Sequence, residues 1–88
     1  MVVYQVEFTP ACRRQFRKLP PEVQRRLVPV IDELADDPHP ATSKKLVGPS
    51  DLWRVRVGDY RLIYAIEDSH LVVLMVRIGH RREVYEGL

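Results

Sequence analysis

Polar and apolar residues alternate over the first eight positions. Val2, Tyr4, Val6 and Phe8 fall on one side, and Val3, Gln5 and Glu7 on the other, which is the period of a half-buried strand. Thr9 and Pro10 then read as a helix start, with threonine capping and proline at the first helical position, where it has no needed donor to lose. Cys12, Phe16 and Leu19 share one side of this short helix, and Arg13, Arg14, Arg17 and Lys18 lie mostly outside it. Pro20 and Pro21 end it and open a second helix. Val23, Leu27, Val30 or Ile31, and Leu34 recur there at helical spacing until "DDPHP" closes the run. Pro29 sits inside that helix and cannot donate to the carbonyl of Arg25, so a kink is expected. Together the two helices make a hairpin with one apolar side.

The segment "ATSKKLVGPSD" reads as a polar loop with Gly48 and Pro49 as turn signals. Beyond it come three runs rich in β-branched and aromatic residues, "LWRVRV", "YRLIYAI" and "LVVLMVRI", separated by "GD" and "EDSH". A final segment, "REVYEGL", is expected to add an edge strand or to pack on the rim. Connections this short make neighbouring strands antiparallel. The predicted fold is α+β in two layers: an N-terminal strand, a helix hairpin, then a three- to four-stranded antiparallel sheet covered on one face by the helices. Residues 1–88 are read as a single domain.

The two-residue "GD" connection has glycine first, which suits a type II′ turn and fixes a register. Val57 then faces Tyr60, Arg56 faces Arg61, Val55 faces Leu62 and Trp53 faces Tyr64. Side chains alternate along a strand, so Trp53, Val55, Val57, Tyr60, Leu62 and Tyr64 point into the core. Arg54, Arg56 and Arg61 point the other way. Like charges opposite one another destabilise a sheet by roughly 0.2–1 kcal/mol. A polyanion bound on that face would relieve the repulsion, each phosphate contact releasing counterions.

Composition changes this picture little. The 88 residues are 45% hydrophobic and 30% charged, with a net charge of +2, an ordinary globular balance. The distribution is more informative, because every cation after residue 50 is an arginine: Arg54, Arg56, Arg61, Arg77, Arg81 and Arg82. Arginine offers a planar, permanently charged fork that recognises phosphate, which lysine does not. The longest apolar run, Leu71 to Val76, is far shorter than the ~20 residues a bilayer span needs. No basic leader with a long apolar region opens the chain, and its single cysteine fits a reducing compartment, so a cytoplasmic location is expected.

A second constellation, "RIGHRREVY" at residues 77–85, follows the last strand. Gly79 is expected to turn the chain and present His80, Arg81, Arg82 and Tyr85 near the rim of the sheet. Histidine moves protons near neutral pH, and tyrosine stacks on bases. His39 and His70 are expected to be solvated, and Cys12 to be core. No spacing of Cys, His, Asp or Glu suggests a metal site.

The stretches "VEFTPACRRQFRKLP", "KKLVGPSDLWRVRVGDYRLIYAI" and "VRIGHRREVY" resemble RelE-type toxins of the RelE/ParE superfamily over nearly the whole chain, most specifically in "RVGDYRLIY" followed by "GHRREVY". The resemblance implies a type II toxin that cleaves messenger RNA in the ribosomal A site, without cofactor or metal, by attack of a ribose 2′-hydroxyl on the adjacent phosphate. Matching positions then imply catalytic roles for Arg56, Arg61, Arg81 and Tyr85. Arg54, Lys44, Lys45, Arg77 and Arg82 are expected to bind RNA. Better-known members carry lysines where this chain has Arg54 and Arg56, and arginine does not give up its proton. His80 is therefore the candidate for proton transfer. Implied partners are a cognate RelB-like antitoxin, the ribosome and messenger RNA, with the free toxin a monomer and the toxin–antitoxin complex a hetero-oligomer. Two other functions fit similar surfaces: ParE-like inhibition of DNA gyrase, and a non-catalytic role as co-repressor with the antitoxin.

Overall fold

The structure is a computed structural model, and it describes residues 3–48, 51–81 and 84. Strand β1 (Gln5–Phe8) leads into helices α1 (Pro10–Arg17) and α2 (Pro21–Asp36), followed by strands β2 (Ser43–Lys45), β3 (Leu52–Val57), β4 (Tyr60–Glu67) and β5 (Val72–His80). The strands form one five-stranded sheet in the order β1-β5-β4-β3-β2. The β2–β3, β3–β4 and β4–β5 pairs are antiparallel, and β1 lies parallel to β5. The two-layer α+β reading holds, with two additions. β1 joins the sheet at one edge, and the expected polar loop contributes β2 at the other. Of the last segment expected at the rim, only Val84 lies among the described residues.

Local chemistry explains where the helices begin and end. Thr9 caps α1, its Oγ1 accepting from the Cys12 N–H at 3.1 Å, with Pro10 in the first turn. No side chain caps the start of α2, where Pro20 and Pro21 set the backbone instead. Gln24 ties the two helices together, because its Nε2 donates to the carbonyls of Phe16 (3.1 Å) and Leu19 (3.0 Å) at the end of α1. α2 continues as one helix of 16 residues with Pro29 inside it, on its exposed side. Val23, Leu27, Ile31 and Leu34 form its buried stripe, as their spacing predicts.

Those residues and Cys12 pack on Val55, Leu62, Tyr64, Val73, Met75 and Ile78 of the sheet. Burial of one such side chain stabilises the fold by about 1.5–3 kcal/mol, so this layer contact dominates the energetics. The Tyr64 hydroxyl is carried deep into it, and it donates to the Pro38 carbonyl at 2.9 Å.

β5 does not alternate strictly. Ile63 pairs with Arg77 but Tyr64 pairs with Met75, so Val76 is an extra residue that bulges out of the ladder. α1 satisfies the strand around it: Thr9 Oγ1 donates to the Val76 carbonyl at 3.3 Å, and Gln15 Oε1 accepts from the Ile78 N–H at 3.0 Å. Without the bulge, counting by twos from Met75 would drive Arg77 into the core and Ile78 out of it.

Replacing Tyr64 with phenylalanine leaves the buried Pro38 carbonyl without its donor. A loss of about 1–3 kcal/mol is expected in urea-denaturation midpoints, with the slope unchanged. Cys12 is fully enclosed, and burial pushes its thiol up to about 12. A raised value keeps the thiol protonated, so no native labelling by a thiol reagent is expected at pH 8, with one equivalent reacting once the chain is unfolded. Native labelling at the rate of a free thiol would contradict the burial.

Candidate anion site on the open face of the sheet

The β3–β4 hairpin takes the register that its two-residue turn dictates. Val57 faces Tyr60, Arg56 faces Arg61, Val55 faces Leu62 and Trp53 faces Tyr64. Gly58 has φ +59° and Asp59 does not share a positive φ, as a type II′ turn requires. Trp53, Val55, Val57, Tyr60, Leu62 and Tyr64 belong to the core or pack against it. Arg54, Arg56 and Arg61 occupy the opposite face.

Strand pairing extends that face into two rows. One crosses four strands as Lys44, Arg54, Ile63 and Arg77. The other, nearer the turn, runs Arg56, Arg61 and Gly79. Ile63 is fully buried although it faces away from the core, and so is Val84, which packs over Gly79 while its carbonyl accepts from Arg77 Nη1 at 3.3 Å. An apolar plug thus sits among the cations.

Arg61 is the centre of the arrangement. It is only 7% exposed, yet its Nη1 donates to two turn carbonyls, Gly58 (3.3 Å) and Tyr60 (3.2 Å), and to no carboxylate. No enclosed side-chain donor is left unsatisfied among the described residues, so its remaining N–H groups open to solvent. The Arg81 N–H donates to the Asp59 carbonyl at 2.8 Å, which fastens the end of β5 to the same turn. Among the described residues, Lys44, Arg54, Arg56, Arg61 and Arg81 form no ion pair. Cations gathered on one face without an ion pair make a candidate site for an anion, and phosphate matches the fork geometry of arginine.

Three expectations are corrected. Gly79 does not turn the chain but lies within β5 opposite Arg61. Lys45 pairs with Trp53 on the helix side and bonds Asp51 at 3.3 Å, so alternation separates it from Lys44 and from the basic face. His80 pairs with Tyr60, and their rings meet edge to face at 5.6 Å on the helix-facing side of the sheet end, so it does not share the face of Arg61. Arg82 and Tyr85 lie outside the described residues. One cation escaped the sequence reading: Arg26, on the solvent side of α2, brings its guanidinium to the Gly58 turn. Helical spacing sets Arg26 at the margin of the apolar stripe, three residues after Val23 and four before Val30, but does not show that it meets the turn.

The fold is a two-layer α+β sandwich with arginines gathered at a hairpin turn, and comparison with known proteins gives its class. Residues 6–85 match the ParE toxin family of type II toxin–antitoxin systems, parDE. The chain belongs to this family of toxins, as a RelE-type member of the RelE/ParE superfamily. It is similar to Toxin RelG of Mycobacterium tuberculosis, with 32% identity over 93% of this chain and 95% of that one. It is likewise similar to the mRNA interferase toxin RelE of Escherichia coli, at 28% identity over 96% and 92% of the two chains. Among solved structures, a chain of the RelBE2 toxin–antitoxin complex of M. tuberculosis superposes with a TM-score of 0.81 at 35% identity, covering 91% of this chain and all of that one.

The like-charge pair gives a direct check. Arg56→Glu places an opposite charge beside Arg61 and is expected to raise stability by about 0.2–1 kcal/mol. It should also abolish retention on immobilised polyanion at salt concentrations where the parent binds. Lower stability together with unchanged retention would show that the two arginines neither repel nor form the site.

Proposed function

We propose that this toxin is an endoribonuclease that cuts messenger RNA in the ribosomal A site and thereby stops translation. The observation that carries this reading is the meeting of Arg61 and Arg81 at the Gly58–Asp59 turn, with Arg56 opposite Arg61 and none of the three in an ion pair among the described residues. The relative named as an mRNA interferase supports it. In this reading the ribose 2′-hydroxyl attacks the adjacent phosphorus and passes its proton to a base. The bond from phosphorus to the 5′ oxygen breaks, and that oxygen takes up a proton, leaving a 2′,3′-cyclic phosphate and a 5′-hydroxyl. Arg61 and Arg81 hold the phosphate and stabilise the charge that grows on its oxygens. Arg56 serves the leaving oxygen or a neighbouring phosphate, and Tyr85 orients a base. Arg54, Lys44, Arg77 and Arg82 extend the track along the RNA backbone.

His80 takes the proton. Its ring lies across the end of the sheet from Arg61, so the RNA must pass over the hairpin turn rather than lie flat on the arginine face. The ribosome is assigned the task of presenting the strand. A RelB-like antitoxin is the proposed neutralising partner, as in the similar M. tuberculosis complex. The proposed site of action is the cytoplasm, and among the described residues no helix is long and apolar enough to cross a membrane.

Mapping transcript ends in a translation extract tests the proposal. Arg61→Ala and Arg81→Ala should each lower cleavage about 10²–10³-fold, the cost of removing one donor to developing charge. His80→Ala should lower it about 10²–10⁴-fold while ribosome binding persists. Full cleavage by His80→Ala alone would move the proton acceptor elsewhere. Full cleavage by all three variants would overturn the assigned site. Growth arrest with intact transcripts and broken DNA would replace the nuclease by a gyrase inhibitor.

A further inference from the structure

Arg26 belongs to the helix layer, yet its guanidinium ends at the β3–β4 turn. A methyl group built on Gly58 would lie 2.6 Å from Arg26 Nη2 and 3.7 Å from its Cζ. Glycine is needed at position 58 for the positive φ, and the end of the flexible Arg26 side chain lies beside it. Arg61 meets the same residue from the other side of the sheet, through the Gly58 carbonyl, and the backbone of Arg81 is bonded to Asp59. Arginines from α2, from β4 and from the end of β5 thus surround a turn of two residues. Arg26 forms no ion pair with any described residue, and the Asp59 carboxylate does not neutralise it. Two guanidinium groups held against one glycine without a counterion repel each other, and a bound anion relieves that repulsion.

We propose that Arg26 is a phosphate-binding residue of the RNA site, contacting a backbone phosphate next to the scissile one. It does so where the strand crosses the end of the sheet from the arginine face to the helix layer. The inference rests on the nuclease reading above and adds a direction to it, since the same crossing brings the RNA to His80. Arginine suits the position because its fork engages phosphate oxygens in pairs, whereas an ammonium is a point charge.

The test measures binding of the full-length toxin to a short single-stranded RNA with a 2′-O-methyl group at each ribose, which cannot be cut. Affinity is followed between about 50 and 200 mM salt. Arg26→Ala should reduce the slope of log K against log salt by about 0.7, the value of one phosphate contact on a single strand. Arg26→Lys should restore the slope but not the full affinity. Arg25→Ala, one residue away on the exposed side of the same helix, should leave the slope at the parent's value. The proposal is overturned if Arg26→Ala keeps the parent's slope, including the case in which affinity and melting temperature fall together and the residue merely braces the turn. It is equally overturned if Arg25→Ala lowers the slope as much, since net charge alone would then explain the effect. A parent that fails to bind this RNA at any salt would likewise overturn the proposal, whereas growth arrest with intact transcripts would overturn the nuclease reading on which it rests.

Discussion

The structure depends on the Gly58–Asp59 turn. A connection of two residues leaves no slack, so it fixes which side chains of β3 and β4 stand together and on which face. The apolar partners on one face then decide the outcome energetically. Burying Val55, Leu62 and Tyr64 is worth about 1.5–3 kcal/mol each, against roughly 0.2–1 kcal/mol for the repulsion between Arg56 and Arg61 on the other face. Core packing therefore forces the arginines into contact and holds them there. The positive site is a by-product of burial that needs no counter-charge to persist.

Other elements complete the site through the same turn. The bulge at Val76 resets the parity of β5, so that Arg77 joins Arg54 on the open face while Ile78 stays in the core. Thr9 and Gln15 of α1 bond the strand around the bulge and make that reset affordable. The end of β5 is pinned to Asp59, which brings Arg81 to the turn. A type II toxin of this superfamily thus brings Arg56, Arg61 and Arg81 together through backbone constraints. An arginine pair can hold a phosphate but cannot accept a proton, so the proposed nuclease reaction needs an acid–base group outside the pair.

Much of this was legible along the chain. The order of strand, helix hairpin and strands followed from apolar spacing, and the hairpin register followed from turn length and glycine position. The face carrying Arg54, Arg56 and Arg61 came from alternation alone. What alternation could not show was the bulge, because a single extra residue in "LMVRI" leaves no mark in composition. Nor could it show β2. "SKK" has no strand pattern of its own and is extended only because it pairs with β3. Lys45 was misplaced for that reason: in a loop its side is undefined, whereas in a strand it must oppose Lys44.

The sequence by itself determined the core and the charge pattern, because hydrophobic period and turn chemistry are local and each residue carries its own contribution. Tertiary structure alone decided which cations meet. Gly79 looked like a turn and became a strand residue because Arg61 needs a partner in the ladder there. His80 looked like a companion of Arg81 and was carried to the helix-facing side by pairing with Tyr60. Arg26, more than thirty residues from Arg61 along the chain, reached the turn only because the helix layer packs across it. Proximity between distant residues is set by how layers stack, and no local pattern encodes that.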